Sequence, residues 1–286
     1  MSFLNKITRL VKDPPPNHRF ELSPAGLAFA RGTHTAFQPF EPGTLVPSPV
    51  EDNLLRADVI GSAITALAPS AGSKKRRPAA VILPDYAARV SVLDFDSFPS
   101  APEEQLSLVR FRFKKTIPFD IDSAAVGYFV QPPAGKKKID VVAVIVAVEV
   151  MARYEALFRA AGFHPGLITT STLAALNLYH GEGIAVFAKL CGRVLTVAII
   201  SGETIKLFRC VTLEEASEEE ILSVLHPTFA YVEDELSAPV KKLIFCGMPL
   251  EAARGLNCEA EPLRSRFGAP GPYDAGLLGY LESVES

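Results

Sequence analysis

Twice along its 286 residues the chain passes through three short strands in succession and then changes to alternating helix and strand. The first run begins at Arg19. Phe20 and Leu22, then Leu27 and Phe29, keep the period of two that sends alternate side chains to one sheet face, with Ser23-Pro24-Ala25-Gly26 as the turn between them. Thr35 to Phe40 adds a third strand. The second run reads Ile184–Leu190, Val194–Ile200 and Thr204–Val211, and Ser201-Gly202-Glu203 is a tight hairpin turn. The two halves read as variations on one βββαβα plan. This is an argument from element order, since no sequence period is visible.

Between the runs, the spacing of Leu54, Leu55, Val59, Ile60 and Ile64 predicts a helix over 51–67. Ala80–Leu83 and Val90–Phe95 are short strands. Pro102-Glu103-Glu104 opens a helix, with proline in the first turn and acids at the positive end of its dipole. Leu106, Val109 and Phe113 mark the buried face of this helix, which stops at Ile117-Pro118-Phe119. Ala124–Val130 is a strand, and Asp140–Val148, the most apolar stretch, is expected at the centre of a sheet. A helix carrying Tyr154, Leu157 and Phe158 ends at Gly162. Gly181–Gly183 breaks the pattern and marks a domain boundary. After the second run come an acidic helix over about 217–236, with Pro227 expected to break it, a strand at Lys242–Phe245, a strand near Glu259 and a final helix over 273–284. At the other end of the chain, Phe3, Leu4, Ile7, Leu10 and Val11 share one face of a short helix opposite Lys6, Arg9 and Lys12, and Pro14-Pro15-Pro16 ends it.

Composition narrows the function. Hydrophobic residues are 48% of the chain, enough for a real core, and the net charge of −3 excludes a nucleic-acid binder that works through overall charge. The longest apolar run is too short to span a bilayer and no signal peptide is visible, so a soluble cytoplasmic protein is expected. Four cysteines without a CxxC pair read as reduced thiols. The sequence has no HExxH, GxSxG, GxxxxGK[ST] or strand-linked GxGxxG. The five histidines are isolated from one another and from the cysteines, against a zinc site. Asp94 with Asp96, and Asp120 with Asp122, are spaced to face one way, but solvated loop acids are the commoner case.

Element order together with Phe113-Lys114-Lys115-Thr116-Ile117-Pro118-Phe119-Asp120 resembles the PilM family of type IV pilus assembly proteins. That family belongs to the actin-like ATPase superfamily and is related to FtsA. Its motif like RYIPFPID at a helix end has its counterpart in Lys115–Asp122, and Leu157-Phe158-Arg159-Ala160-Ala161-Gly162-Phe163 also matches. The resemblance implies an α/β, actin-like (ribonuclease-H-like) two-part architecture with an inserted small α/β subdomain and a truncated second half. The implied boundaries are 1–13 for the amphipathic helix, 18–96 for the first part of domain 1, 97–165 for the insertion, 166–182 for the return and 183–286 for domain 2.

Actin-like ATPases hold nucleotide with two D-x-G hairpins, whose acids keep the metal and whose glycines admit the phosphates. Here the first hairpin offers Glu21, Ser23 and Pro24. The second offers Lys189 and Cys191, and the adenosine-side glycine run shrinks to Gly247 and its neighbours. A lysine at the acid's position opposes Mg²⁺. The expectation is therefore a non-catalytic scaffold with no cofactor, neither ATP nor Mg²⁺. Its implied partner is the cytoplasmic tail of a PilN-like inner-membrane protein, bound near Arg110, Arg112, Phe113, Ile117 and Phe119, with residues 1–13 a possible contact to the inner-membrane surface. The implied location is cytoplasmic, peripheral at the inner membrane. Alternatives are an active actin-like ATPase or sugar-kinase-type enzyme, or a GspL-like type II secretion component.

Overall fold

The computed structural model describes residues 14–69, 75–133, 138–249 and 256–285. The expected N-terminal helix (1–13) and most of the short segment after residue 249 lie outside them. The chain opens with β1 (His18–Ser23), β2 (Gly26–Arg31) and β3 (His34–Pro39), an antiparallel meander, then α1 (Ala57–Leu67) and β4 (Arg77–Leu83). The helix starts six residues later than the spacing predicts. Asn53 holds residues 48–53 in a turn instead, donating from Nδ2 to the carbonyls of Ser48 and Glu51, both at 2.8 Å.

The next three strands leave this sheet. β5 (Arg89–Phe95), α2 (Pro102–Phe113), β6 (Ala124–Val130) and β7 (Ile139–Ala147) form a separate three-stranded antiparallel layer in the order β5-β7-β6. Val109 and Phe113 of α2 are buried against it with Leu93, Val141 and Ile145. β7 is central, as its apolar run requires. β5 pairs with β7 in the register Arg89↔Ile145. The insertion therefore spans about residues 89–147 rather than 97–165. The chain then returns through α3 (Val148–Ala160), which packs on the first sheet through Val150, Tyr154 and Phe158, and β8 (Phe163–Thr170), which lies parallel to β4. Gly162, at φ +82°, makes the turn between them. α4 (Ser171–Ala175) ends the first half.

The second half repeats the plan. β9 (Ile184–Cys191), β10 (Val194–Ser201) and β11 (Thr204–Thr212) are antiparallel, followed by α5 (Glu218–Leu236), β12 (Lys242–Cys246) and β13 (Glu259–Pro262), the last two parallel. The strand orders are β3-β2-β1-β4-β8 and β11-β10-β9-β12-β13, one pattern twice. Among the described residues no three-stranded layer separates β12 from β13, in keeping with a shortened second half. Ser217 and Glu220 form a capping box at the start of α5, and the helix runs on through Pro227 without a break.

The last helix, α6 (Ala275–Val284), corresponds to α4 in this duplication, and the two pack against each other between the sheets. Thus α6 belongs to the junction of the halves and not to domain 2 alone. Arg19, only 2% exposed, fastens its end by an ion pair to Glu285 at 2.8 Å. Glycines permit the close helix approach: a Cβ on Gly276 would stand 2.8 Å from the Ser171 carbonyl oxygen, and one on Gly279 2.1 Å from that of Ala174. Gly279→Ala should accordingly lower stability by about 1–3 kcal/mol, as overpacking of a fixed backbone does. Urea denaturation checks this, and a loss below the error of the method would show that α6 can slide.

Candidate functional site

The cleft between the two sheets is the place where the duplicated hairpins face each other. Glu21 and Lys189 hold equivalent positions there. Each stands two residues before its hairpin turn, and each is paired on both sides, Glu21 with Ala28 and Ile82, Lys189 with Thr196 and Cys246. Both side chains are about 1% exposed.

Each charge has partners from the opposite half or the junction. Lys189 Nζ lies 3.5 Å from Oδ2 of Asp85, in the turn after β4. Asp85 also accepts from the Thr172 backbone N–H and hydroxyl, both at 2.7 Å. Glu21 accepts from the Ser171 hydroxyl and, at 2.6 Å, from the Leu277 N–H in the first turn of α6. Burial pushes the Glu21 carboxyl up to about 7, against the opposing pull of Lys189, Ser171 and the Leu277 amide. For Lys189, burial works to lower the pKa, but Asp85 and the neighbouring Cys191 and Glu21 outweigh it, and the net shift is upward. The ammonium is therefore charged at every physiological pH. The remaining void, lined by Glu21, Ser23, Pro24, Asp85, Lys189 and Pro272, measures about 10 Å³, room for about one water.

No known family model and no curated protein sequence matches the chain. Solved structures do. The structure of a PilM–PilN type IV pilus biogenesis complex superposes with a TM-score of 0.70 at 14% identity, over 96% of this chain and 99% of that one. The chain has the actin-like ATPase fold. Two further structures support this. The cytoplasmic domain of EpsL, an inner-membrane component of the type II secretion system of Vibrio cholerae, matches at 0.54, with 13% identity over 94% of each chain. A protein of actin-like ATPase fold and unknown function from Bacteroides thetaiotaomicron matches at 0.52, with 12% identity over 93% of this chain and 96% of that one.

On the actin-like fold the sequence-derived positions fall as follows. Glu21, Ser23, Pro24, Lys189 and Cys191 all line the void between the hairpins. Ser23 closes its own turn, its hydroxyl donating to the Gly26 carbonyl at 3.0 Å. Burial raises the Cys191 thiol above its ordinary value and pushes that of Cys246 up to about 12, so neither is a ready thiolate. All four cysteines are free. Gly247, at φ +73°, is pressed against the Leu190 carbonyl, 2.2 Å from where a Cβ would sit. Its glycine is thus required by strand packing. Asp85, Ser171, Thr172 and the α6 N-terminus complete the site and were missed from sequence. Asp85 had a signal: a lone acid directly after a buried strand, where α/β sheets place their ligands.

The expected partner residues lie together in the inserted subdomain, where most of them make internal contacts. The Arg110 guanidinium donates to the carbonyls of Ile121 and Ala124, at 2.8 and 3.1 Å, fixing the chain into β6. Arg112 donates to the carbonyl and carboxylate of Asp94 and lies over the Phe95 ring. Phe113 is 2% exposed inside the subdomain core, and Ile117 and Phe119 pack partly against that core. Asp94, paired with Lys138 and Arg112, is held below its ordinary value, first by the Lys138 hydrogen bond. Asp120 accepts from the Asp122 N–H. No cluster able to hold a metal occurs among the described residues.

A second concavity, of about 230 Å³, lies where the inserted layer meets the first sheet. Val126 and Gly127 of β6, Met151 of α3 and Ile168 and Thr170 of β8 line it. β6 is an edge strand of its sheet. The Thr170 hydroxyl, on a residue only 1% exposed, has no hydrogen-bond partner.

Proposed function

We propose that this protein is a non-catalytic, PilM-like scaffold of a type IV pilus or related secretion machine. It would bind the cytoplasmic tail of a PilN-like inner-membrane protein and be held at the inner membrane by that tail. The observation that carries the reading is the filled cleft. Lys189–Asp85 and Glu21 with Ser171 and Leu277 occupy the place between the hairpins where an actin-like ATPase would keep Mg-nucleotide, and about 10 Å³ is left. No helix among the described residues is long and apolar enough to cross a membrane.

The tail is assigned to the concavity between the inserted layer and the first sheet rather than to the Arg110–Phe119 end. There an extended peptide can pair with the β6 edge, place apolar side chains against Val126, Met151 and Ile168, and satisfy the Thr170 hydroxyl. Arg110 and Arg112, by contrast, each already make two hydrogen bonds within the subdomain.

Two measurements test this. Mg-ATP should leave the melting temperature unchanged, whereas a ligand at about 100 times its Kd would add about 2.7 kcal/mol. A clear shift would restore the ATPase alternative. In the second, a PilN-like tail peptide is titrated by calorimetry. A Cβ on Gly127 meets nothing within 4 Å, so Gly127→Leu should fold normally yet weaken the peptide at least about tenfold, equivalent to about 1.4 kcal/mol. Thr170→Val should weaken it by about 1 kcal/mol through loss of one hydrogen bond. Peptide binding indifferent to both substitutions would place the tail elsewhere.

A further inference from the structure

Among the described residues six strands lie at the edges of the three sheets, and five of them are guarded, covered or already assigned. β13 carries Glu259, Glu261 and Pro262. β8 carries Pro165 and a register shift against β4. β11 lies against β5 of the inserted layer. There the Gln131 side chain donates to and accepts from the Ile205 peptide, both at 2.7 Å, and Lys206 pairs with Asp140. β6 bounds the concavity assigned to the tail. Charge, proline, irregularity and cover are the means by which an open edge is kept from pairing. β3 has none of them before its last residue, Pro39. Its residues His34–Pro39 include no Lys, Arg, Asp or Glu, and all but Ala36 are exposed.

The hairpin fixes which groups this edge offers. β2 and β3 turn at Gly32-Thr33 and close on the pair Arg31↔His34. Past the strand, the Phe40 N–H still donates to the Ala25 carbonyl at 2.8 Å. Even-numbered residues of β3 therefore bond to β2, and the N–H and C=O groups of Thr35 and Phe37 point away from the sheet. Pro39 falls in the outward set, where its missing N–H costs the hairpin nothing. Phe37 is on the same face as Thr35. Its ring stacks beside that of Tyr273, with centroids 6.3 Å apart, and is still 45% exposed. The two ends of β3 differ in charge. Exposed Arg31 stands beside His34 at one end, and exposed Glu41 follows Pro39 at the other.

We infer that β3 pairs antiparallel with β3 of a second copy of this chain, across a twofold axis at Ala36. Thr35 then stands opposite Phe37 of the partner subunit, and the two residues exchange all their outward hydrogen bonds. A register centred on Phe37 would instead set Thr35 against a proline and leave its carbonyl unpaired. The two Phe37 rings become diagonal neighbours on one face, within reach of an aromatic contact. Antiparallel pairing also brings the Arg31 end of each strand toward the Glu41 end of the other. The edge is thus complementary to itself in hydrogen bonding and in charge, as a closed twofold contact requires, which is why a second copy is the occupant. Two five-stranded sheets join into one. The contact is small, so the dimer is weak and depends on concentration.

Sedimentation and light scattering of the full-length protein over a concentration series test this, and a monomer–dimer equilibrium is expected. Thr35→Lys with Phe37→Lys puts like charges opposite each other and should weaken the dimer at least about tenfold. Thr35→Pro, which removes an outward N–H without touching a bond to β2, should weaken it as well. The urea midpoint of each variant confirms a folded chain. Arg31→Glu should weaken the dimer about twofold to fivefold at low salt, and adding Glu41→Arg should restore it. A protein that stays monomeric up to about 1 mM overturns the inference, since association of even about 4 kcal/mol would show there. A dimer untouched by the edge variants overturns it too, because the contact would then lie elsewhere. So does a charge swap that restores nothing, because the strands would then not meet antiparallel across a twofold axis.

Discussion

Lys189→Met should cost about 3–5 kcal/mol of unfolding free energy, the loss expected when one partner of a buried ion pair is removed and the other remains. The substitution keeps the length of the stem but leaves the Asp85 carboxylate, 5% exposed, without its cation. Thr172 would still donate two hydrogen bonds to it, so the loss is expected to be severe without abolishing the fold. Adding Asp85→Asn should recover most of the stability, because asparagine can accept from the Thr172 N–H and donate to its hydroxyl while carrying no charge. A double-mutant cycle by urea denaturation measures the coupling. If Lys189→Met alone costs less than about 1 kcal/mol, the pair is not what closes the cleft.

The second large effect is on pH dependence. Glu21 is an acid whose folded-state value, about 7, lies above its ordinary 4.5. Below about 4.5 it is protonated in both states and burial of its charge costs nothing. Between 4.5 and 7 the folded state holds the proton that the unfolded state has released, so stability falls as pH rises. Above 7 the full penalty is present, about 3 kcal/mol for a shift of this size. Glu21→Gln should therefore match the wild type near pH 4 and exceed it by about 3 kcal/mol at pH 8. Burial also raises Asp274, which adds a smaller slope of the same sign. The difference between variant and wild type isolates Glu21. Parallel curves would mean that water or a counter-charge relieves the carboxylate.

The two experiments bear on one point. The cleft is bridged by the Lys189–Asp85 pair, with one partner from each half, and the α6 N-terminus is tied to Glu21. A scaffold gains from such a closure because its binding surfaces stay in fixed relation. The same closure would obstruct an enzyme that must open and shut.

Most of the fold was legible in local patterns. The hairpin of Phe20, Leu22, Leu27 and Phe29, the strand of Ala124–Val130 and the helix opened by Pro102 all follow from side-chain period and end signals. Those forces act over a few residues and are written there. The two hairpins were also readable, and the choice of Glu21, Ser23, Pro24, Lys189 and Cys191 within them came from the resemblance to the PilM family. Pro227 misled because one missing N–H is a local cost that packing of Ile221, Val224, Leu225 and Val232 on the second sheet overrides.

What tertiary structure alone decided was pairing between distant segments. β5 follows β4 by a few residues, yet it joins β7 through the register Arg89↔Ile145, and sequence proximity gave no sign of the change of sheet. Arg110, Arg112 and Phe113 have the composition of a binding surface, but only the folded subdomain shows that the Arg110 guanidinium holds the carbonyls of Ile121 and Ala124, that the exposed Arg112 pairs with Asp94, and that the Phe113 ring is buried. The resemblance read from the sequence implied that Lys189 stands at an acid's position. That Asp85, 104 residues away, would neutralise it, and that Leu277, 256 residues from Glu21, would cap the carboxylate, depended on the two sheets closing on each other. Burial and hydrogen bonding are set by whatever the third dimension brings within about 3 Å, and no local pattern carries that distance.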